Sequence, residues 1–395
     1  MRRRALRMVA ARALFALAAL PLGAAAGLVA SFASFASFAS GGCGTTPSSS
    51  VDGGDLMGVF DPRDAGADAA RDGKAPALAR DAGKGRHDGG AVALNVGDAG
   101  AEGGAPGSPS LTRAPAGGSC VAEEGLPNRE LRRVLGRPPC RESQVLEWRD
   151  AEGSPRYACV IAPRNVETRA PLPVVVFFHG AFEDPTFVDK KTGLRKLGAR
   201  FPLTGDPAHT GFIVLAVQGR QIRGGKQGAV FDTEYTGSDN VDVSAVDHFL
   251  DELIGRKLVD RRRIYALGPS YGGQMAATYA MMRADRVAAF GVYASDAPPA
   301  GWTCPGPPPP AMVLYRACDE FFPCASVERW LRARDALSAE TAWMRLGFAN
   351  EEEPHCALKN KCTKIKGAAN HRRWPKGREE DVLRFFARHT LSVQP

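Results

Sequence analysis

The stretch Arg263-Ile264-Tyr265-Ala266-Leu267-Gly268-Pro269-Ser270-Tyr271-Gly272-Gly273-Gln274 decides the fold. Arg263–Leu267 is a short apolar run closed by Gly-Pro, the pattern of a buried strand. From Gln274 to Met282 the residues suit a helix. Between them stands a Gly-x-Ser-x-Gly motif, Gly268 to Gly272. Its glycines let the chain turn sharply, so that Ser270 occupies a strained strand-to-helix elbow at the carboxyl end of the strand. A glycine-rich turn with a helix-capping serine would use the same residues. The strand before and the helix after weigh for a nucleophile.

Outward from this elbow, strands and helices alternate. Leu146–Arg149 and Arg156–Ile161 read as a hairpin, and Val174–Phe178 and Phe212–Val217 as buried strands. In 241–254, Val243, Val246, Phe249, Leu250, Leu253 and Ile254 recur at helical spacing. Ala288–Tyr293, Met312–Tyr315 and Trp343–Gly347 read as strands, and Val327–Leu337 and Glu379–His389 as helices. Such alternation predicts an α/β domain, a mostly parallel sheet with helices on both faces. With a serine elbow at its centre, that is the α/β-hydrolase fold.

A serine nucleophile needs a base, an orienting acid and an oxyanion hole, and on this fold they follow in the order Ser, Asp/Glu, His. Among the downstream histidines, His371 sits in a loop, Gly367-Ala368-Ala369-Asn370-His371, before the last helix. It is preferred as base over His355, beside Cys356, and over His389 on the final helix. Asp319 closes the strand around Met312–Tyr315 and is preferred as acid over Asp296 and Glu320. His179-Gly180 ends an earlier strand, where a glycine lets backbone N–H groups face an oxyanion. The expected donors are Ala181 or Phe182, and Tyr271. His179 precedes Ser270 in the chain, so a structural role in that loop, on the substrate side, is preferred for it over that of the base.

The rest of the chain is of different material. Of 395 residues, 44% are hydrophobic and 24% charged, an ordinary globular balance. The net charge of +8 owes most to five arginines within residues 1–42, which hold no acid. The remaining 46 basic and 43 acidic residues nearly balance, so nothing points to nucleic acid. Basic residues followed by the apolar run 13–30 form an export signal. Gly41-Gly42-Cys43-Gly44 resembles a bacterial lipoprotein processing site, with Cys43 as the lipidated residue and membrane anchor. Cleaved secretion and an uncleaved anchor are the alternatives. Residues 43–118 are expected to be a disordered Gly/Ala/Asp-rich linker, and 119–395 the catalytic domain. All eight remaining cysteines fall after residue 118, which suits disulfides in an exported domain better than a zinc site. Cys318/Cys324 and Cys356/Cys362, each six apart, allow two short loops.

Several motifs together carry a resemblance. Val174-Val175-Val176-Phe177-Phe178-His179-Gly180, Asn240-Val241-Asp242-Val243, Val259-Asp260-Arg261-Arg262-Arg263-Ile264-Tyr265 into Ser270-Tyr271-Gly272-Gly273, Asp319 with Phe322-Pro323, and His371 with Trp374-Pro375 occur in this order. The domain from about Val145 onward resembles α/β-hydrolase esterases related to extracellular polyhydroxybutyrate depolymerases and feruloyl or acetylxylan esterases. The resemblance implies Ser270, Asp319 and His371 as a triad, places Trp374 beside the substrate, and implies no metal or organic cofactor. It also shows departures. Tyr315-Arg316 stand where the acid loop of those esterases carries His-Gly, and one extra residue separates His371 from Trp374. The expected function is therefore an exported serine esterase acting on feruloyl, acetyl or hydroxyalkanoate esters. A serine peptidase on the same fold and a non-catalytic, surface-anchored binding lipoprotein are the alternatives.

Overall fold

Every side chain of Leu172–Phe178 is buried, and the pleat divides them between two cores. Val174, Val176 and Phe178 face one cluster, while Val175 and Phe177 face the other. A period of two with both faces apolar is what a central strand of a parallel sheet requires. The computed structural model describes residues 111–113, 119–122, 131–134, 136–141, 144–222, 230–298, 301–356 and 362–392. All lie in one of the chain's two units, Gly73–Pro395. The expected export signal, Cys43 and nearly all of the expected linker fall outside the described residues. Among those residues no helix is long and apolar enough to cross a membrane.

In chain order the strands are β1 (Leu111–Arg113), β2 (Val121–Ala122), β3 (Leu131–Val134), β4 (Gln144–Arg149), β5 (Pro155–Ile161), β6 (Leu172–Phe178), β7 (Ile213–Val217), β8 (Arg220–Ile222), β9 (Val259–Pro269), β10 (Ala289–Tyr293), β11 (Trp302–Thr303), β12 (Ala311–Arg316), β13 (Thr341–Leu346) and β14 (His389–Leu391). The helices are α1 (Phe187–Lys191), α2 (Leu194–Gly198), α3 (Val241–Gly255), α4 (Tyr271–Met282), α5 (Cys324–Ala336), α6 (Lys364–His371) and α7 (Glu379–Ala387). An eight-stranded sheet runs β13-β12-β10-β9-β6-β7-β5-β4. It is parallel from β13 to β7, and β5 and β4 are added antiparallel. Helices α3, α4 and α5 cover one face through Val246, Phe249, Met275, Tyr279, Val327 and Trp330. Helices α1, α2 and α7 cover the other through Val188, Leu197, Leu383 and Phe386. The expected α/β-hydrolase sheet is present.

Three details differ from the sequence reading. The last helix stops at Ala387, because His389–Leu391 pair in parallel with Leu111–Arg113 as β14 and β1. His371 is not in a loop: it is the last residue of α6, which Thr363 caps by accepting from the Lys366 N–H. The closely spaced cysteines do not pair with each other. The bonds are Cys120–Cys304, Cys140–Cys159, Cys318–Cys362 and Cys324–Cys356. Glu328 lies near the sulfurs of Cys324 and Cys356, but a disulfide offers no thiolate to a metal.

One polar cluster is buried with this frame. Arg156 pairs with Asp242 at the start of α3 and with Asp150 at 3.6 Å, while Arg220 approaches Asp242 at 3.5 Å and Asp232 at 3.7 Å. Burial alone would raise the Asp242 pKa; the two guanidiniums and the Asp232 N–H overcome it and hold the carboxyl below its usual range. The cluster ties β5, β8 and the first turn of α3 together.

Candidate active site

The parallel strands end on one edge, and the site is built there. Ser270 follows β9 with φ 53° and ψ −128°, a conformation ordinarily left to glycine. Three glycines make the bend sterically feasible. A Cβ on Gly268 would lie 2.3 Å from the Gly272 carbonyl oxygen, one on Gly272 2.2 Å from the Phe178 oxygen, and one on Gly273 2.7 Å from Ser295 Cβ. The elbow is thus pressed against the end of β6 and the loop after β10. Its peptide is fixed as well: the Ser270 N–H donates to the Tyr293 carbonyl at 2.8 Å.

The side chains meet from three elements. His371 Nε2 lies 3.0 Å from Ser270 Oγ, and His371 Nδ1 lies 2.8 Å from Asp319 Oδ2. The other oxygen of Asp319 accepts from the N–H groups of Phe321 and Phe322, both at 2.9 Å. Asp319 thus accepts three hydrogen bonds, and its role as acceptor from Nδ1–H sets the imidazole tautomer with Nε2 open to the serine hydroxyl. Phe321 and Phe322 flank the imidazole at 4.9 and 5.7 Å between centroids. The next residue back, Asn370, donates to the Cys318 carbonyl at 2.8 Å. This arrangement can move a proton from Ser270 Oγ to Nε2 while the carboxylate balances the imidazolium.

The alternatives lie elsewhere. His355 is exposed on the loop before Cys356. His389 is buried against Phe385, facing Glu340 at 3.3 Å. Asp296 accepts from Ser326 Oγ at 2.7 Å and Gln274 Nε2 at 3.3 Å, and Glu320 is exposed.

The expected oxyanion donors occupy adjoining turns. Tyr271 opens α4, so its N–H belongs to the first, unpaired turn of the helix. Ala181 and Phe182 follow Gly180 beyond β6, and Phe182 takes φ 63°. Glu183 closes this loop: its carboxylate accepts the Gly180 N–H at 2.9 Å, and its own N–H donates to the Gly180 carbonyl at 3.3 Å. Burial lifts the Glu183 pKa to about 7. Nothing in the sequence singled Glu183 out, because its meaning depends on that loop closure.

His179 and Trp374 stand differently from the expectation that they touch substrate. His179 is fully buried, its Nδ1 hydrogen-bonded to the Gly180 carbonyl at 2.8 Å and its Nε2 accepting the Gly219 N–H at 3.0 Å. With both nitrogens engaged it braces the ends of β6 and β7, and burial lowers its pKa to about 4. Trp374 is buried between Phe177, Phe187 and Tyr293, and its indole N–H donates to Glu379 at 2.8 Å. It anchors the turn after His371 to α7. A groove of about 800 Å³ beside β13, lined by Tyr315, Trp343 and Arg345, shares no residue with the site.

Residues 204–304 match the prolyl oligopeptidase family, a stretch that holds Ser270 but neither Asp319 nor His371. No curated protein matches the sequence. Among solved structures, a thermostable esterase is 18% identical with TM-score 0.43, covering 63% of this chain; the chain spans 63% of that esterase's length. Esterase 2 of Thermogutta terrifontis in its apo form is 13% identical with TM-score 0.41, covering 63% of this chain and 93% of that one. The same esterase phosphoramylated by tabun is 13% identical with TM-score 0.40, covering 53% and 84%. None of these scores reaches 0.5, and the assignment of the α/β-hydrolase fold rests on the sheet and the family match.

Proposed function

We propose that the chain is a serine hydrolase of the α/β-hydrolase fold that cleaves carboxylic esters, with Ser270 as nucleophile, His371 as general base and Asp319 as its orienting acid. One observation carries the reading: the continuous hydrogen-bonded path Asp319 Oδ2–His371–Ser270 Oγ at the mouth of a strained elbow. His371 Nε2 takes the serine proton as Oγ attacks the ester carbonyl. The N–H groups of Tyr271 and of Ala181 or Phe182 hold the oxyanion. The imidazolium then protonates the leaving alcohol, and a water activated by the same Nε2 releases the acid. Short acyl and hydroxyalkanoate esters, or feruloyl and acetyl esters of cell-wall polymers, are the substrate classes the motif resemblance supports. Export, with lipidation at Cys43, is supported by the leader sequence and by four disulfides.

The family match supports a second reading, a serine peptidase with the same three residues. Hydrolysis of p-nitrophenyl acetate and butyrate, set beside peptide p-nitroanilides and with Ser270→Ala as control, separates the two. Turnover of the esters, none of the anilides and a fall of several orders of magnitude in the variant is the expected result. A folded chain that takes up no fluorophosphonate label overturns both enzyme readings.

A further inference from the structure

The sequence departs from the esterases it resembles at Tyr315-Arg316, and Arg316 is a fully buried cation that the reaction just described leaves idle. A buried guanidinium is tolerable only when its donors are met. Arg316 Nε donates to Tyr293 Oη at 2.7 Å, Nη1 to the Gly347 carbonyl at 2.8 Å, and Nη2 to the Arg373 carbonyl at 2.6 Å. All three acceptors are uncharged, so this is not the geometry of a carboxylate pair.

Tyr293 extends the network in both directions. Its hydroxyl donates to the same Arg373 carbonyl and reaches the Asn370 carbonyl at 3.5 Å. Its backbone carbonyl accepts the Ser270 N–H. One residue therefore grips the nucleophile elbow with its main chain and the turn around His371 with its side chain. Arg316 clamps that side chain and the turn together from β12. A guanidinium spreads its donors over three nitrogens of a planar fork and so spans these separated acceptors, whereas an ammonium presents its three donors from one atom.

We propose that Arg316 is a positioning residue for the general base: through Tyr293 and the Arg373 peptide it sets the separation of His371 Nε2 from Ser270 Oγ. The inference rests on the serine-hydrolase reading. None of the network's hydrogen bonds involves an expected oxyanion donor, so its loss is expected to lower the rate of the chemical step and leave substrate binding alone.

The test uses the full chain and two variants, Arg316→Lys, which keeps the charge and loses the fork, and Tyr293→Phe, which removes one hydroxyl. Each is titrated for active sites with a fluorophosphonate, and both the labelling rate constant and kcat per titrated site are measured. Labelling reads the nucleophilicity of Ser270 whatever the preferred ester. The expected result is a fall of about 10- to 100-fold in both rates, the scale of a small misplacement of a catalytic group, with KM within twofold of native. A merely structural role lowers the number of titratable sites and leaves each one at native speed, and that outcome overturns the proposal. Should Arg316→Lys fail to fold, Tyr293→Phe decides alone by the same criterion. Absence of labelling in the native chain refutes the hydrolase reading instead, so the two failures are distinct.

Discussion

Cys318 and Cys362 are bonded to each other, and each stands beside a different member of the Asp319–His371 pair: Cys318 immediately precedes Asp319, while Cys362 leads through Thr363 into the helix that ends on His371. Gly367, in that helix, approaches the backbone so closely that a Cβ there would sit 3.0 Å from the Glu320 nitrogen. The acid loop and the histidine helix are thus held by a covalent bond at one end and by contact along their length.

Removing that bond with Cys318→Ser/Cys362→Ser is expected to cost both stability and turnover. With a sequence separation of 44 between the cysteines, loop-closure entropy puts the stability loss at about 4 kcal/mol. Turnover per folded molecule falls further than in the corresponding Cys140/Cys159 double variant, whose bond lies at β5, away from Asp319 and His371. Denaturant melts and kcat per active site check this; equal kcat losses in the two double variants would sink it.

Ser270→Gly is expected to stabilise the fold while abolishing activity. The φ of 53° and ψ of −128° cost a side-chain residue about 1–3 kcal/mol that glycine does not incur. Ser270→Ala, which keeps a Cβ, loses activity without that gain. Tm measured on the two variants separates strain from chemistry, and a glycine variant no more stable than the alanine one would refute the strain.

His179 makes stability fall in acid. Its folded pKa of about 4 lies below the ordinary value of 6.5, so the unfolded chain takes up the proton first as pH drops. The stabilising contribution is complete above pH 6.5 and is lost towards pH 4, on the order of 3 kcal/mol. Urea unfolding of native protein and His179→Asn at pH 7, 5.5 and 4.5 reads the slope. The variant, less stable at pH 7, is expected to show a flatter dependence over this window; parallel curves would count against the assignment.

Glu183 acts with the opposite sign. Burial raises its folded pKa to about 7, above the usual 4.5, so its contribution is complete below pH 4.5 and is lost as pH rises through 7. Glu183→Gln keeps an acceptor for the Gly180 N–H and removes the buried charge. It is expected to gain stability relative to native at pH 8, by up to roughly 3 kcal/mol before solvent screening, and to gain less at pH 5. Equal Tm differences at the two pH values would contradict this.

The central strands, the elbow, α3 and α4 were legible because their information is local: apolar period, Gly-x-Ser-x-Gly, and the helical stripe from Val243 to Ile254. Helix α6 was not. Only Gly367, Asn370 and His371 of its eight residues are buried, two of them polar, so no apolar stripe marks it. Its signals were Thr363 as cap and a glycine at the close approach to Glu320. Asp319 and His371 could be picked from chain order, but Glu183 and Arg316 could not: Glu183 acquires its role only when its loop closes on the Gly180 N–H, and Arg316 from peptide groups brought in from other loops. The structural role preferred for His179 fits its burial, while the substrate contacts expected of His179 and Trp374 do not, for a related reason. Each neighbours a reactive motif in sequence, while its side chain points into the packing beneath. Cysteine pairing depends on which strand ends adjoin, and spacing along the chain is silent about that.

The disulfide map also determines what a single peptide-bond cut does to the molecule. A cut between Cys120 and Cys304 leaves two pieces joined by the bond between those residues, and a cut between Cys318 and Cys362 leaves two pieces joined likewise. Most loops on the chemical edge, including the one between β6 and α1 and the one between β13 and α6, fall inside one of these two covalent rings. A proteinase nicking them converts one chain into two without releasing either, and the nicked molecule migrates whole until it is reduced.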